Sequence, residues 1–438
     1  MRDTIAAIAT ARGRAGIGVI RISGPDSARI STRVLGKLPT ARRAVLRDFK
    51  AADGAVLDHG LVLYFPAPGS YTGEDVVELH GHGGDAVLQM VLERVLDAGA
   101  RLARPGEFTE RAFLEGRMDL AQAEAVADLI DAGSKQAARA AQATLAGEFS
   151  RRVAALMDEL TALRVQFEVG LDFADEEVAE LDPVLAASSL QRLEHSVTHT
   201  LEAAVRGVRM RDGLRVVLVG EPNVGKSSVL NRLAGEERAI VTAVPGTTRD
   251  LIRESVNLDG ATVELIDTAG LHASDDVVEQ AGMARTLEQT RHADLLLLIE
   301  DDCAPATPLC LELDAAADVL RVRNKVDLSG GEAGGFDGGV RVSALSGAGF
   351  AALHAAIAAR AARLGGDGLF TARRRHVEAL GECLRCVTSA RETQQCAGGT
   401  ELVAEELRRA HGALGRITGA VSSDDLLGLI FASFCIGK

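Results

Sequence analysis

The stretch with the clearest chemistry is a glycine-rich loop, "GEPNVGKS", at residues 220–227. It follows the apolar run "RVVLVG" and precedes "SVLNRLAG", which has helical spacing, so it fits the pattern G-x-x-x-x-G-K-[ST] between a strand and a helix. Glycines let backbone N–H groups turn inward around phosphates, and Lys226 can bring a positive charge to the β and γ oxygens. The hydroxyl of Ser227 can bind Mg²⁺ at the positive end of the helix. The pattern predicts a nucleoside triphosphate site.

Three later stretches extend this pattern to a guanine nucleotide: "DTAG" (267–270), "NKVD" (324–327) and "VSAL" (342–345). The Asp of DTAG can hold the Mg²⁺ shell, and its Gly can donate an N–H to the γ-phosphate. The final Asp of NKVD can accept from two N–H groups on the guanine edge, which adenine does not present. In this order, the four stretches predict a small GTPase domain.

These motifs do not identify the residue that orients the attacking water. Ras-like enzymes use a Gln directly after the DTAG-type turn, whereas this chain has Leu271, which offers no donor or acceptor. Asp275, Asp276 and Glu279 follow, and a carboxylate could orient the water. From the residues alone, a solvated acidic loop is the better interpretation of all three.

The source of positive charge beside the transferred phosphate is also open. Arg249 in "PGTTRD" is the only nearby arginine candidate. The amide oxygen of Asn223 in the phosphate loop could instead join backbone carbonyls in holding a monovalent cation, which would replace an arginine finger. Alternatively, Asn223 only caps the loop.

The elements around these motifs change character along the chain. From Leu214 onward, apolar strands alternate with helical segments, which predicts a doubly wound, mostly parallel sheet. Residues 118 to about 210 and 371–438 have helical spacing, and residues 1 to about 115 mix strands and helices. The predicted fold class is α/β plus all-α, with an N-terminal α/β domain and a helical domain that contains an inserted Ras-like P-loop domain. The predicted domains are 1–116, 117–211, 212–366 and 367–438.

Composition narrows the class of protein. The net charge is −14, and no apolar run is long enough to span a membrane, so we expect a cytoplasmic protein without membrane contact. Residues 1–47 hold ten Lys and Arg against two Asp, which would allow phosphate contact or form a solvated basic surface. The six cysteines do not form a disulfide framework. Cys383 and Cys386 form a CxxC within a helical pattern, and we predict core or surface roles for them.

Several stretches resemble the MnmE family of tRNA-modifying GTPases, also called TrmE, and the resemblance covers essentially the whole chain. They are "YTGEDVVELHGHGG" (71–84), "RPGEFTERAFLEGRMDLAQAEAVADLI" (104–130), "AIVTAVPGTTRD" (239–250), "DTAGLHASDDVVEQAG" (267–282) and the terminal "FCIGK" (434–438).

The resemblance implies an N-terminal folate-binding domain that forms a homodimer, a helical domain, and an inserted GTPase activated by K⁺ and by G-domain dimerisation without an arginine finger. It implies an FAD-dependent partner, MnmG, in a heterotetramer or larger complex. Together the two proteins would add a carboxymethylaminomethyl or aminomethyl group to C5 of the wobble uridine of certain tRNAs. The implied cofactors are GTP, Mg²⁺, K⁺ and 5,10-methylene- or 5-formyl-tetrahydrofolate.

The resemblance also assigns roles to residues. The residues assigned to GTP are Asn223, Val224, Gly225, Lys226, Ser227, Ser228, Thr242, Thr247, Thr248, Asp267, Thr268, Ala269, Gly270, Asn324, Lys325, Asp327, Ser343, Ala344 and Leu345. Those assigned to Mg²⁺ are Ser227 and Thr248, with Asp267 in the outer shell, and those assigned to K⁺ are Asn223, Thr242, Val244 and Thr247. Those assigned to folate are Arg21, Glu78, Arg117 and Lys438. Those assigned to catalysis are Glu279, which would position the water, Lys226, Thr248 and Cys435.

Two positions depart from the family pattern. Position 117 is Arg where a Lys is expected, which keeps the charge but changes the geometry. Position 221 is Glu where Arg is common, and we expect its side chain to point away from the phosphates.

Cys435 and the overall function each retain an alternative. The terminal "CIGK" is a poor prenylation signal, which leaves Cys435 as a nucleophile facing the uridine or as a core thiol at a helix end. The alternative function is a ribosome-assembly or translation GTPase that acts as an RNA-binding switch. Such proteins usually carry a basic RNA-binding domain, whereas this chain has a helical region and a net charge of −14.

Overall fold

The fold is known from a computed structural model. It describes residues 3–11, 13–172, 183–236, 253–258, 261–267, 293–304, 318–365, 370–396, 399–420 and 424–437. The chain divides into two compact units, Met1–Ala127 with Gly415–Lys438, and Asp128–Leu414.

The described residues contain strands and helices in the following order. The strands are β1 (Ile5–Ile8), β2 (Ala15–Ser23), β3 (Val45–Lys50), β4 (Val56–Phe65), β5 (Val76–Gly83), β6 (Arg101–Leu102), β7 (Leu214–Val219), β8 (Arg253–Leu258), β9 (Ala261–Asp267), β10 (Leu295–Asp301), β11 (Asp318–Asn324), β12 (Gly334–Phe336) and β13 (Gly339–Arg341). The helices are α1 (Ser27–Leu35), α2 (Asp85–Asp97), α3 (Glu107–Leu114), α4 (Leu120–Ile130), α5 (Lys135–Leu145), α6 (Glu148–Asp172), α7 (Pro183–Asp212), α8 (Lys226–Glu236), α9 (Val326–Ser329), α10 (Phe350–Gly365), α11 (Arg374–Gln395), α12 (Thr400–Thr418) and α13 (Asp424–Ala432).

The first unit is built on a sheet in the order β3-β4-β5-β2-β1-β6. All neighbouring strands are antiparallel except β1 and β6. Strand residues alternate between the two faces, so Ile20, Ile22, Val77 and Leu79 pack with α1 and α2 in one core. Residues between them therefore point to the opposite face. In this register Arg21 of β2 lies directly across from Glu78 of β5.

The second unit contains a helical part and a sheet part. In the helical part α7 packs against α6 and α11, and α5 packs against α6 and α7. The buried residues of these helices recur at the three- and four-residue spacing of an amphipathic helix, as in Leu190, Leu193 and Val197 of α7.

The sheet part has the strand order β12-β13-β11-β10-β7-β9-β8. The four central pairings, from β13 to β9, are parallel, and the outer pairs β12–β13 and β8–β9 are antiparallel. Apolar side chains of the central strands form a core with α8 and α10. Because the strands are parallel, their carboxyl ends meet at one edge of the sheet, where loops can form a ligand site.

The predicted fold class is confirmed: a mixed α/β unit is combined with a helical region that carries an inserted, mostly parallel P-loop sheet. Within the part of the chain that the structure describes, no helix is both long and apolar enough to cross a membrane.

Candidate functional site

The phosphate loop, residues 220–227, joins the end of β7 to the first turn of α8. Lys226 is 6% exposed, and its Nζ donates to the backbone oxygens of Gly220 and Glu221 at 2.8 Å each. Asn223 has a left-handed backbone with φ of 66°. The loop therefore curls around the ammonium group, which places a positive charge inside the curve.

Two glycines of this loop are required by close approach. The φ of Gly220 is 155° and that of Gly225 is 95°. A Cβ on Gly225 would overlap Nδ2 of Asn324, and one on Gly220 would overlap the carbonyl oxygen of Ile299. Only glycine fits these positions. The loop is consequently a narrow backbone cradle of the kind that phosphate groups require.

The NKVD stretch joins this cradle to the loop at residues 343–348, here called the base loop. Asn324 is 3% exposed. Its Nδ2 donates to the carbonyl of Val224 at 3.0 Å, and its Oδ1 accepts from the N–H of Ala344 at 3.0 Å. One amide side chain thus connects the phosphate end of the candidate site with the end predicted to hold the base.

Lys325 has a partner that sequence analysis did not identify. Its Nζ donates to Oδ2 of Asp301, at the end of β10, at 2.6 Å. This hydrogen bond, together with one from the N–H of Cys303, lowers the pKa of the Asp301 carboxyl. In the sequence, the only sign of this contact is that Asp301 ends an apolar strand, which precedes the strand that leads into NKVD.

The remaining residues assigned to the nucleotide differ in exposure. Ser343 is buried and Ala344 is partly buried, whereas the exposed ones are Asn223, Ser227, Ser228, Asp327 and Leu345. Glu221 is also exposed, and its orientation relative to the phosphates stays a prediction. The assigned residues outside the described part of the chain are Thr242, Val244, Thr247, Thr248, Thr268, Ala269, Gly270 and Glu279, together with the weighed alternatives Arg249, Leu271, Asp275 and Asp276. Asp267 ends β9, but its side chain is likewise outside the description.

A second polar site lies on the sheet of the first unit. Nε of Arg21 donates to Oε1 of Glu78 at 3.0 Å, and each side chain is 16% exposed. The guanidinium lies 5.3 Å from the ring centre of Tyr71 and 5.7 Å from that of Phe108. Aromatic faces of this kind stabilise a cation. The structure therefore brings together the predicted Arg21 and Glu78 and adds two aromatic residues.

His80 is a further residue of this second site that was not selected from the sequence. Its Nε2 lies 3.2 Å from Oε2 of Glu78. Because a carboxylate only accepts, Nε2 carries the hydrogen. The hydrogen bond from His80 and the charge of Arg21 lower the pKa of the Glu78 carboxyl against the opposing effect of burial. The signal was present in "VELHGHGG", since residues two apart on a strand share a face.

The C-terminal segment, residues 434–437, lies beside this site. Phe434 is 6% exposed and packs with residues of α4 and α13. The carbonyl of Gly437 lies 3.5 Å from NH1 of Arg21. The φ of Gly437 is 100°, and a Cβ there would overlap the carbonyl oxygen of Ile8 in β1. The segment is thus held against the sheet by an apolar anchor and a glycine contact.

Cys435 is exposed within this segment, while its carbonyl accepts from the N–H of Gly106 at 3.4 Å. The alternative of a core thiol is therefore wrong, because Cys435 is exposed while the neighbouring Phe434 is buried. Lys438 lies outside the described residues.

Arg117 is placed differently from the other predicted folate residues. It is exposed, and its N–H donates to the carbonyl of Ala112 at 2.9 Å. Within the described residues, no hydrogen bond or ion pair joins it to Arg21 or Glu78.

The CxxC cysteines are core residues, in agreement with prediction. Cys383 is 0% and Cys386 3% exposed, both on α11. Burial, with a smaller effect of the neighbouring Cys386, raises the pKa of the Cys383 thiol to about 12. Such a thiol is protonated at neutral pH and therefore unreactive.

Comparisons with known proteins match both the N-terminal part and the rest of the chain to one family. Residues 4–117 match the family described as the GTP-binding protein TrmE N-terminus, and residues 120–435 match the MnmE helical domain. The tRNA modification GTPase MnmE of Nitrosococcus oceani is 48% identical to this chain, covering 100% of this chain and 98% of the relative. The protein of the same name from Bordetella petrii is 50% identical, covering 99% and 98%.

Among solved structures, the G domain of the T. maritima FeoB iron transporter is 26% identical and covers 34% of this chain and 98% of that domain, with a TM-score of 0.26. With so low a score, the fold assignment rests on the sheet topology rather than on this likeness.

Proposed function

The chain belongs to the MnmE family of tRNA modification GTPases and is therefore a GTP hydrolase of tRNA modification; from this premise we propose a K⁺-activated enzyme that modifies C5 of the wobble uridine. The proposed product carries a carboxymethylaminomethyl or aminomethyl group. The observation that carries the proposal is that one chain contains both a phosphate cradle around Lys226 and an Arg21–Glu78 pair beside the C-terminal segment.

In the proposed nucleotide site, the phosphate loop holds the phosphates and Asp327 accepts from the guanine edge. Ser227, exposed at the start of α8, is proposed as a Mg²⁺ ligand together with Thr248. The ion would neutralise charge on the β and γ oxygens. Lys226 contributes the charge that the chain itself provides, already held in place by two backbone oxygens.

Asn223 supports the proposal of a potassium ion. It is exposed in the phosphate loop, and its amide oxygen is a neutral, hard ligand. We assign K⁺ to Asn223 with Thr242, Val244 and Thr247. The ion would supply the charge that an arginine finger supplies elsewhere, worth ~10³–10⁵ in rate. GTP turnover should be faster in K⁺ than in Na⁺, and equal rates would remove this assignment.

Glu279 is proposed to orient the attacking water, because Leu271 stands where Ras-like enzymes have Gln. Replacing Glu279 with Ala should leave GDP affinity intact and abolish hydrolysis. If Glu279→Ala hydrolyses GTP at the normal rate, an acidic residue such as Asp275 or Asp276 remains to be tested in that role.

The Arg21–Glu78 site supports the proposal of a tetrahydrofolate donor, either 5,10-methylene- or 5-formyl-. The glutamate tail of a folate is anionic and suits Arg21, Arg117 and Lys438, while the Glu78 carboxylate suits N–H donors of the pterin. We propose that Cys435, exposed beside this site, faces the uridine as a nucleophile. Substitution of Cys435 by Ser should then abolish modification without weakening folate binding.

The proposed assembly is a cytoplasmic homodimer that works with the FAD-dependent MnmG on tRNA. Along the chain we assign folate binding to 1–116, GTP hydrolysis to 212–366, and the helical domain to 117–211 with 367–438.

The test of the proposed function is nucleoside mass spectrometry of tRNA from a strain lacking this protein. The C5-modified wobble uridine should disappear, and it should return with the wild-type gene but not with Glu279→Ala or Arg21→Ala. Unchanged tRNA in the deletion strain would contradict the proposal.

A further inference from the structure

Arg232 on α8 makes a contact that no motif requires. Its Nε donates to the carbonyl of Ala344 at 2.8 Å, and its NH2 donates to the carbonyl of Leu345 at 2.9 Å. Both acceptors belong to the base loop. Arg232 therefore joins the helix that begins with Lys226 to the loop predicted to close over the base.

The surroundings of Arg232 favour this geometry. The guanidinium carbon of Arg232 lies over the ring of Phe350, 5.7 Å from the ring centre. An aromatic face at this distance attracts a cation. Gly347 has a φ of 87°, and a Cβ there would lie 2.6 Å from NH1 of Arg232. The absence of that Cβ leaves room for the guanidinium beside the base loop.

The contact closes a ring of interactions around the candidate nucleotide site. From the phosphate loop, the carbonyl of Val224 accepts from Asn324, which in turn accepts from the N–H of Ala344. The carbonyl of Ala344 in turn accepts from Arg232. The peptide groups on both sides of Ala344 are thus fixed, one from β11 and one from α8.

We propose that Arg232 is a positioning residue for guanine recognition, which holds the backbone of residues 343–345 at the distance the base requires. The inference rests on the proposed GTP site and names what fixes its base end. Arg suits this role because its planar fork serves two carbonyls at once, whereas Lys offers a single ammonium group. Loss of the fork releases the carbonyls of Ala344 and Leu345, while the phosphate loop keeps its own contacts through Lys226.

The test compares GDP with inorganic pyrophosphate, which has phosphates but no base, in the full chain with Mg²⁺. Measurements with fluorescent GDP give the dissociation constant and the rate constant of GDP dissociation. The affinity for pyrophosphate is measured by its competition with fluorescent GDP. Arg232→Met should weaken GDP binding about 10-fold, chiefly through faster dissociation, since hydrogen bonds from a charged donor contribute on this scale. The affinity for pyrophosphate should not change.

The GDP affinity of Arg232→Lys should lie between those of Arg232→Met and the wild type. Arg232→Lys serves as the second variant if Arg232→Met does not fold.

The matched control is Arg321→Met. Arg321 lies on β11 of the same sheet and pairs with Glu300 on the surface, so this variant should bind GDP and pyrophosphate as the wild type does. Unchanged GDP affinity in Arg232→Met would overturn the inference. Equal losses for GDP and pyrophosphate would also overturn it, because they would indicate a general structural role. A wild type that fails to prefer GDP over ADP would instead contradict the proposed function.

Discussion

At the scale of single residues, the Glu78 carboxylate shows how this fold prepares a binding group. One oxygen accepts from Arg21 and the other from His80. Both donors fix the rotamer, yet each carboxylate oxygen has more than one acceptor position. Glu78 can therefore remain ionised and oriented while it accepts further N–H groups from a ligand.

Replacing Glu78 with Gln should weaken binding of 5-formyl-tetrahydrofolate about 10-fold, because an amide is a neutral and therefore weaker acceptor than a carboxylate. Isothermal titration calorimetry would measure the change. Glu93→Gln is the matched control, since Glu93 lies exposed on α2 and, among the residues that the structure describes, accepts only from Gln89. Equal affinities in all three proteins would contradict a role for Glu78 in the site.

The phosphate loop gives a second prediction for a single residue. Gly225→Ala should abolish or strongly weaken GDP binding, because the new Cβ would overlap Asn324 and the positive φ costs about 1–3 kcal/mol. Fluorescent GDP titration measures the effect. The control is Gly235→Ala on α8, where a Cβ meets nothing within 4 Å. That change should keep GDP affinity and raise helix stability slightly, so a normal GDP affinity in Gly225→Ala would refute the close-approach argument.

At the scale of elements, a buried ion network fixes α3 to the start of the chain. Glu107 and Arg111 of α3 are 3% and 5% exposed. Glu107 accepts from Arg111 at 3.1 Å and from Arg101 at 2.6 Å, and Arg111 also donates to Asp3 at 2.9 Å. Burial would raise the pKa of the Glu107 carboxyl, but the hydrogen bonds from Arg101, from the N–H of Arg104 and from Arg111 outweigh it and lower that pKa.

The network should make the first unit sensitive to acid. A carboxyl whose pKa is lowered by folding contributes stability above its unfolded pKa of about 4.3, and this contribution is lost as the pH falls towards the folded value. Glu107→Gln should cost about 2 kcal/mol at pH 7, and the difference from the wild type should shrink below about pH 4.

Urea unfolding followed by tyrosine fluorescence would measure this change, because the chain has no Trp and both of its tyrosines lie in the first unit. Glu110→Gln on the same helix is the control, since within the described part of the chain Glu110 pairs only with the exposed Arg104, and such surface pairs contribute little. A constant difference between Glu107→Gln and the wild type from pH 7 to pH 3 would contradict the assignment.

Most of the helices and strands, and the nucleotide site, could be predicted from the sequence, because their signals lie within short stretches of the chain. The phosphate loop depends on glycine spacing between a strand and a helix, which a single stretch displays. Arg21 meets Glu78 only because β2 and β5 pair in one register, and Arg21 was selected only through a family resemblance. The contacts of Arg232 depend on long-range packing, for which no local pattern gives a signal, and Asp301 is marked in the sequence only as the end of an apolar strand.

At the scale of the whole molecule, the first unit is completed by the other end of the chain. Gly415–Lys438 belongs to the same compact unit as Met1–Ala127. Inserting a long folded segment between the two parts costs little, since loop-closure entropy grows only slowly with length. Phe434 and Gly437 provide the contacts that return this segment to the sheet.

Gly437→Ala should therefore separate the two proposed binding functions, for folate and for guanine nucleotide. The added Cβ would displace the C-terminal segment from Ile8, so affinity for 5-formyl-tetrahydrofolate should fall by about 10-fold or more. Affinity for GDP, whose proposed site lies in the other unit, should not change. Gly428→Ala on α13, where a Cβ meets nothing within 4 Å, should leave both affinities intact. Loss of GDP binding in Gly437→Ala would contradict this separation.

The same return of the chain has a consequence for biosynthesis. The ribosome makes Gly415–Lys438 only after all of Asp128–Leu414, so the sheet of the first unit lacks the contact with Phe434 and Gly437 until that whole segment has been synthesised. A nascent or prematurely terminated polypeptide can already hold a finished phosphate loop while Arg21 still lacks its neighbour Gly437. Such a fragment would bind a nucleotide before the second site, around Arg21 and Glu78, is complete.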